Sequence, residues 1–141
     1  MNPLQSLRDY EKYIYSLPRK YPSIARSTLT VIRRSSATGR LTGELDIDGY
    51  RLVVREKISF EGEIEPILGY GYEVWRGSEK LYWHDSQEHP NDPLLASTHP
   101  HHKHVHPDIK HNRIPAPGIS FTAPNLPFLI EEIEQLMQQK S

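Results

Sequence analysis

The alternation of apolar and polar residues between positions 28 and 84 is the feature that most restricts how this chain can fold. A period of two places successive side chains on opposite faces of a β-strand. Turn residues interrupt the alternation, and Asp48-Gly49 is a strong hairpin signal among them. We therefore predict a meander of about five antiparallel strands, at 28–34, 40–47, 50–60, 68–76 and 80–84.

Two amphipathic segments flank the predicted sheet. Asn2-Pro3 has the form of an N-cap followed by proline at the first helical position, and apolar residues recur at helical spacing until Pro18, which predicts a helix over 3–16. Asn125 precedes a second apolar stripe, which predicts a helix over 126–139. The predicted fold class is α+β, a single domain over 1–141 in which a curved antiparallel sheet packs with both terminal helices.

The composition excludes several classes of protein. The 141 residues contain no cysteine, which excludes disulfides, thiolate metal sites and a cysteine nucleophile. No apolar run approaches the ~20 residues that a membrane span needs, and the first residues lack the layout of a secretory signal. We therefore expect a cytoplasmic protein with no membrane partner. Residues 1–43 carry eight Lys or Arg and two acids, a basic segment that permits a contact with nucleic acid without requiring one.

All eight histidines lie between positions 84 and 111. Eight of the twelve prolines follow His89, and Pro100 and Pro107 favour extended geometry in the residues before them. We therefore predict a long His/Pro-rich loop over 85–120, and loops of that length are commonly functional. In an extended chain the side chains sort into two sets, His102, His104 and His106 on one side and His99, His101 and Lys103 on the other.

Three interpretations of this loop remain open. Imidazole titrates near neutral pH, so two histidines can give and take a proton, while the ammonium of Lys103 can hold a phosphate. Neutral imidazoles two residues apart can instead chelate a divalent metal, and His102, His104 and His106 have that spacing. The third interpretation is a solvated loop without such chemistry.

Two histidines and a lysine are chemically sufficient for RNA cleavage without a metal. One imidazole takes the proton of the 2′-hydroxyl, the other protonates the leaving oxygen, and the ammonium stabilises charge on the phosphate. The need for a 2′-hydroxyl confines this reaction to RNA.

The predicted sheet offers side chains that can support the loop. Glu56 lies on the apolar face of its strand, where an unpaired charge is costly. We expect Arg33 or a histidine as its partner, or water at the end of the sheet. Further supports from the sheet are Arg34, Arg55 and Tyr72.

Four segments together resemble a known family. They are Arg55-Glu56, Tyr82-Trp83-His84-Asp85, His89-Pro90 and Thr98-His99-Pro100-His101-His102-Lys103-His104. In this order they resemble the TumE-type toxins of bacterial and archaeal toxin–antitoxin modules, roughly over residues 29–136, and the Pro-His-His-Lys-His block is the most specific part. Three features depart from the family pattern: His99 replaces a common aromatic residue, Trp83-His84 does not match a basic residue often found there, and the extension over 106–121 is long.

The resemblance implies a small toxin that is silenced by a cognate antitoxin with a helix-turn-helix, repressor-like domain. By position it carries over a set of site residues, namely Arg55, Glu56, Asp85, His89, Pro100, His101, His102, Lys103 and His104.

Our hypothesis from the sequence is a toxin that acts on RNA as a metal-independent His/Lys ribonuclease, with no cofactor. The predicted catalytic residues are His101, His102, Lys103, His104, Asp85, His89 and Glu56, and the predicted substrate-binding residues are Arg33, Arg34, Arg55, Tyr72, His99 and His106. One alternative is a nuclease that holds Zn²⁺ or Mn²⁺ on His102, His104 and His106. Another is a non-enzymatic module that binds nucleic acid or protein. The edges of an open sheet also favour a homodimer.

Overall fold

The structure is a computed structural model that describes residues 2–139. In that part of the chain, two terminal helices flank eight strands that form one antiparallel sheet. The helices are α1 (Leu7–Lys20) and α2 (Leu126–Gln139); the strands are β1 (Ile24–Ser27), β2 (Thr30–Arg33), β3 (Thr38–Ile47), β4 (Tyr50–Ser59), β5 (Ile67–Arg76), β6 (Glu79–Asp85), β7 (His102–Val105) and β8 (Arg113–Pro115); a short 3₁₀ helix spans Pro93–Thr98. Neither described helix is long and apolar enough to cross a membrane.

The sheet follows the order β1-β3-β4-β5-β6-β7-β8, and β2 pairs with β3 as well. The predicted α+β class is confirmed, and β2 to β6 correspond to the five predicted strands. The strand count was too low because β1 and β8 have only four and three residues. β7 was missed for a different reason, since its alternation is between imidazoles and an ammonium rather than between apolar and polar residues. The segment predicted as a loop over 85–120 therefore contains two strands and the 3₁₀ helix.

Helix α1 begins and ends later than predicted. Ser6 caps it in place of Asn2, and the Ser6 hydroxyl accepts a hydrogen bond from the Asp9 N–H at 3.0 Å. The helix continues through Pro18 to Lys20. Its buried stripe comprises Leu7, Tyr10, Ile14 and Leu17.

One face of the sheet is covered by both helices and the other is open. On β4, Leu52 and its alternate neighbours are buried on the covered face, whereas Arg55 and Lys57 are exposed on the open face. The β3–β4 hairpin sets this register. Asp48 and Gly49 have φ values of 45° and 86°, which a two-residue type I′ turn requires. The open face is therefore the surface where polar side chains can meet a large ligand.

Glu56 lies on the covered face and is 3% exposed. Its partners are the hydroxyls of Tyr10 on α1 and Tyr72 on β5, which both donate to it at 2.5 Å. Burial raises the pKa of Glu56, while the two hydroxyl bonds act in the opposite direction. The expectation of Arg33 or a histidine as partner was wrong, because the helix packs a tyrosine over this position. Asn125 donates to Tyr72 at 2.9 Å, so its side chain links α2 to the same network.

Candidate functional site

Strands β6 and β7 bring one carboxylate and two imidazoles together on the open face. Asp85 lies opposite His102 and Trp83 lies opposite His104, and residues opposite each other in an antiparallel pair share a face. His102 Nε2 lies 2.8 Å from Asp85 Oδ1, and His104 Nε2 lies 3.2 Å from Asp85 Oδ2. The two Nε2 atoms are 3.1 Å apart. We call Asp85, His102 and His104 the Asp-His-His cluster.

Backbone carbonyls fix the orientation of both imidazoles. The Nδ1–H of His102 donates to the Pro100 carbonyl at 3.0 Å, and the Nδ1–H of His104 donates to the Ile109 carbonyl at 3.0 Å. Because a carbonyl can only accept, each neutral ring presents a lone pair at Nε2. The lone pairs and the Asp85 oxygens therefore converge, and these acceptors need a proton or a cation between them.

The contacts within the cluster favour a carboxylate at Asp85 and an imidazolium at His102. Burial raises the pKa of Asp85, but hydrogen bonds from His102, His104 and Trp83 outweigh burial and hold that pKa well below its usual range. Burial lowers the pKa of His102, but the hydrogen bond to Asp85 and that to the Pro100 carbonyl raise it above its ordinary value of 6.5. His102 therefore binds a proton more readily than a free imidazole does.

Two aromatic side chains pack against the cluster. Trp83 Nε1 donates to Asp85 Oδ2 at 3.0 Å, and the indole stacks on His104 at a centroid distance of 4.0 Å. The His89 ring packs edge-on against His102 at 4.8 Å. Burial lowers the pKa of His89, and the positive charges of Arg113 and His102 lower it further. His89 is therefore harder to protonate than a free imidazole, and it lies beside His102, which is easier to protonate.

A positively charged groove leads along the open face to the cluster. It has a volume of about 590 Å³, and its lining includes Arg40, Arg55, Lys57 and Asp85. Gly71 leaves room for the Arg55 guanidinium, because a Cβ at position 71 would lie 2.9 Å from the Arg55 Nη2 atom. The groove therefore joins three cations to one member of the cluster.

A second groove continues the first toward β2. It has a volume of about 900 Å³ and shares Arg40 and Lys57 with the first groove. Arg33 and Arg34, which the sequence predicted to bind substrate, line it. Arg33 also pairs with Glu11 at 3.0 Å. The side chain of Arg33 therefore points toward α1, on the covered face. We call the surface formed by Arg34, Arg40, Arg55 and Lys57 along the two grooves the basic track.

Lys103 lies on the covered face, away from the cluster. It alternates with His102 and His104 along β7, so its side chain points the other way. Its Nζ bonds Glu132 Oε2 at 3.0 Å, and His84 Nε2 lies 3.2 Å from the other oxygen of Glu132. Lys103 and the histidines His102 and His104, which were predicted to act together, therefore lie on opposite faces of the sheet. Lys103 instead helps to hold α2 through Glu132.

The remaining predicted histidines also lie apart from the cluster. His101 Nδ1 lies 2.6 Å from the Tyr70 hydroxyl, His99 is exposed, and His106 follows β7 and donates through Nε2 to the Lys80 carbonyl at 2.9 Å. The metal alternative on His102, His104 and His106 is thus corrected. The group with metal-binding geometry in the described residues contains Asp85 in place of His106.

Several predicted residues have other surroundings, and several site residues were missed. Glu56 and Tyr72 are buried in the core network, where the Tyr72 hydroxyl donates to the Glu56 carboxylate. Arg55 bonds Glu73 at 3.5 Å while 63% of its side chain stays exposed.

Arg113 lies opposite His104 in the sheet, and no sequence signal indicated β8. The missed residues are Arg40, Lys57, Trp83 and Arg113; alternation with Asp85 along β6 could have indicated Trp83.

These features define a class of protein. An antiparallel sheet with helices on one face, and with an Asp-His-His cluster at the end of a basic groove on the other, defines a small α+β protein with a titratable cluster beside a basic surface. A family model described as Toxin TumE matches residues 12–137. The chain therefore belongs to the TumE toxin family, as the resemblance indicated. Comparisons with curated proteins and with solved structures gave no match.

The cluster should make stability depend on pH. Asp85, with its lowered pKa, stabilises the fold above its unfolded value of 3.8, and this contribution is lost on acidification. His102, with its raised pKa, stabilises the fold below 6.5, and this contribution is lost as the pH rises through the folded value. We expect Asp85→Asn to cost about 1.5–3 kcal/mol, with the largest loss between these two pH values.

Thermal unfolding of both proteins from pH 3 to pH 9 measures this difference. The matched control is Asp108→Asn, because Asp108 and His111 form an exposed Asp–His pair at 3.1 Å that should contribute little. A loss of stability in Asp85→Asn that is equal at all pH values would contradict the charges proposed for Asp85 and His102.

Proposed function

We propose that this toxin acts on RNA, binding the phosphate backbone along the open face and cleaving one phosphodiester bond at the Asp-His-His cluster. The observation that carries the proposal is that the basic groove and the Asp-His-His cluster meet. Asp85 both lines the basic groove and belongs to the cluster. A polyanion bound in the groove would therefore present a phosphate to titratable groups.

The basic track has the charge and the length for a short stretch of single-stranded RNA. Thr42, Arg55, Gly71, Asp85 and His102 are successive partners across five neighbouring strands, β3 to β7. With a strand spacing of about 4.8 Å, this row extends for roughly 19 Å. Arginine and lysine side chains along such a row neutralise phosphates without reading the sequence. This supports binding through the backbone rather than through particular bases.

The two imidazoles of the cluster act as one unit in this mechanism. The Nε2 atoms of His102 and His104 are only 3.1 Å apart and both lie against the Asp85 carboxylate, so we assign a proton-transfer role to one of these two imidazoles. In-line cleavage needs a base and an acid on opposite sides of the phosphorus, so a bound phosphate has to separate the His89 and His102 rings, which pack at 4.8 Å. We assign the acid to His102, whose pKa is raised, and the base to His89, whose pKa is lowered. Neighbouring groups whose pKa values are shifted in opposite directions are suited to these two roles. Asp85 and His104 position His102.

The proposed reaction is an internal transesterification. His89 takes the proton of the 2′-hydroxyl, and the 2′-oxygen attacks the phosphorus. The bond from phosphorus to the 5′-oxygen breaks, and His102 gives its Nε2 proton to that oxygen. The products are a 2′,3′-cyclic phosphate and a 5′-hydroxyl. Arg55 and Arg113 stabilise the charge on the phosphate oxygens.

The family implies an antitoxin partner in general. We extend the proposal to a helix-turn-helix, repressor-like antitoxin that silences the toxin in the cytoplasm. The basic groove offers such a partner the same surface that RNA would occupy.

Cleavage in the absence of metal tests the function. We expect purified protein in EDTA to cut single-stranded RNA and leave DNA of the same sequence intact, because DNA lacks the attacking 2′-hydroxyl. The products should carry 2′,3′-cyclic phosphate ends, which mass spectrometry detects. RNA that is cut only after Zn²⁺ or Mn²⁺ is added would support the metal-dependent alternative. Growth arrest without any cleavage would support the non-enzymatic alternative.

A further inference from the structure

The Asp-His-His cluster has a donor set that also suits a metal ion. Two imidazole nitrogens and one carboxylate oxygen can each supply a ligand atom, and these atoms lie within 4.8 Å of one another. For metal–ligand bonds of about 2.0–2.2 Å, the edges of a tetrahedron measure roughly 3.3–3.6 Å. The two Nε2 atoms are 3.1 Å apart, and each lies against a different Asp85 oxygen, at 2.8 Å from His102 to Oδ1 and at 3.2 Å from His104 to Oδ2. A widening of the gap between the two nitrogens and a turn of the carboxylate toward the ion would therefore admit it.

The surroundings of the three side chains are those of a supported metal site. Imidazole ligands usually donate their second N–H to a carbonyl or carboxylate, which aims the other nitrogen at the metal. His102 and His104 do this through the carbonyls of Pro100 and Ile109. Trp83 Nε1 donates to Asp85 Oδ2, so all three potential ligands are held by a further hydrogen bond.

The cluster is enclosed but reachable from the groove. The side chains of His102 and His104 are 1% and 5% exposed, whereas that of Asp85 is 25% exposed. Three protein ligands leave a fourth position free for water or an anion. Arg113 opposite His104 adds a positive charge to this face, which favours an anionic group at the fourth position.

The donor atoms select the class of ion. Mg²⁺ and Ca²⁺ prefer sites made of oxygen alone, and the cluster supplies two nitrogens. Imidazole with carboxylate suits Zn²⁺ and the neighbouring divalent transition metals.

We propose that Asp85, His102 and His104 form a binding site for one divalent transition-metal ion of the Zn²⁺ class. A bound ion occupies the Nε2 lone pairs of His102 and His104, and imidazole supplies such a lone pair only when that nitrogen is unprotonated. Binding should therefore release a proton and weaken as the pH falls. If the proposed function holds, on which this consequence rests, Zn²⁺ also removes the acid of RNA cleavage and inhibits the toxin.

Calorimetric titration of the EDTA-treated and dialysed protein with ZnCl₂ tests the site. We expect one ion per chain in the wild type and at least tenfold weaker binding in Asp85→Asn. Trp83→Phe keeps every ligand but removes the hydrogen bond that holds Asp85. We expect its affinity for Zn²⁺ to be about 10–100-fold lower. The double control Asp108→Asn/His111→Ala removes an exposed Asp–His pair and should bind as the wild type does. Circular dichroism establishes that each variant is folded.

The outcomes separate the site from the function. Unchanged Zn²⁺ affinity in folded Asp85→Asn and Trp83→Phe, or loss of the ion in the double control, would overturn the site. Titration with CoCl₂ gives a second readout, because visible absorption bands of tetrahedral Co²⁺ should appear in the wild type and be absent from Asp85→Asn. RNA cleavage with and without Zn²⁺ is measured separately, so a protein that binds Zn²⁺ but never cuts RNA would retain the site and reject the function.

Discussion

Replacing His102 with alanine is expected to lower the rate of RNA cleavage by about 10²–10⁴-fold, the usual contribution of a positioned acid or base. The variant removes the proton that would go to the leaving 5′-oxygen, while the basic groove keeps its affinity for RNA. We therefore expect the loss in kcat rather than in KM. Initial rates on a defined single-stranded RNA in EDTA measure it. Expression without the antitoxin should then no longer arrest growth.

The matched control for this variant is His111→Ala. His111 is an exposed histidine of the same segment and pairs with Asp108, so its loss should leave the rate unchanged. A variant at His89 distinguishes acid from base, because its loss should alter the acidic limb of the pH–rate profile. Full toxicity of folded His102→Ala would reject catalysis at the cluster and favour a role in docking.

Replacing Glu56 with alanine is expected to destabilise the fold without a direct effect on catalysis. The buried hydroxyls of Tyr10 and Tyr72 would lose their acceptor, at a cost of about 1–3 kcal/mol each. The total expected loss is about 2–6 kcal/mol of the free energy of unfolding. Glu56→Gln keeps one acceptor and should lose less. Denaturant unfolding of both variants measures the series.

Activity per folded molecule separates a structural role for Glu56 from a catalytic one. Glu56→Gln should cleave RNA at the wild-type rate under conditions where it is folded. Glu63→Gln is the control for the chemical change itself, because Glu63 is exposed. A large loss of activity in Glu56→Gln with an unchanged free energy of unfolding would support a catalytic role for Glu56.

Local patterns predicted the frame of this fold. The alternation along β4 separates Leu52 from Arg55, and Asp48-Gly49 forms the turn that its composition indicated. The stripe on α2 is buried as predicted. These features depend on residues close together in the chain, whose spacing directly reflects which face of an element is buried.

The missed strands lacked such a pattern. β7 carries histidines on its open face and a lysine on its covered face, so no apolar periodicity marked it as a strand. β8 has three residues, too few for a periodicity to be recognised. Both strands are held by pairing with neighbours from elsewhere in the chain.

The sequence by itself determined that the histidines are concentrated in one segment, and that extended backbone would place His102 and His104 on one side and Lys103 on the other. Only the tertiary structure decided their partners. The register of β6 against β7 places Asp85 beside the two imidazoles. The packing of α2 places Glu132 beside Lys103. The physical reason is that side-chain direction follows from local backbone geometry, whereas the register between strands is set by burial of the whole sheet.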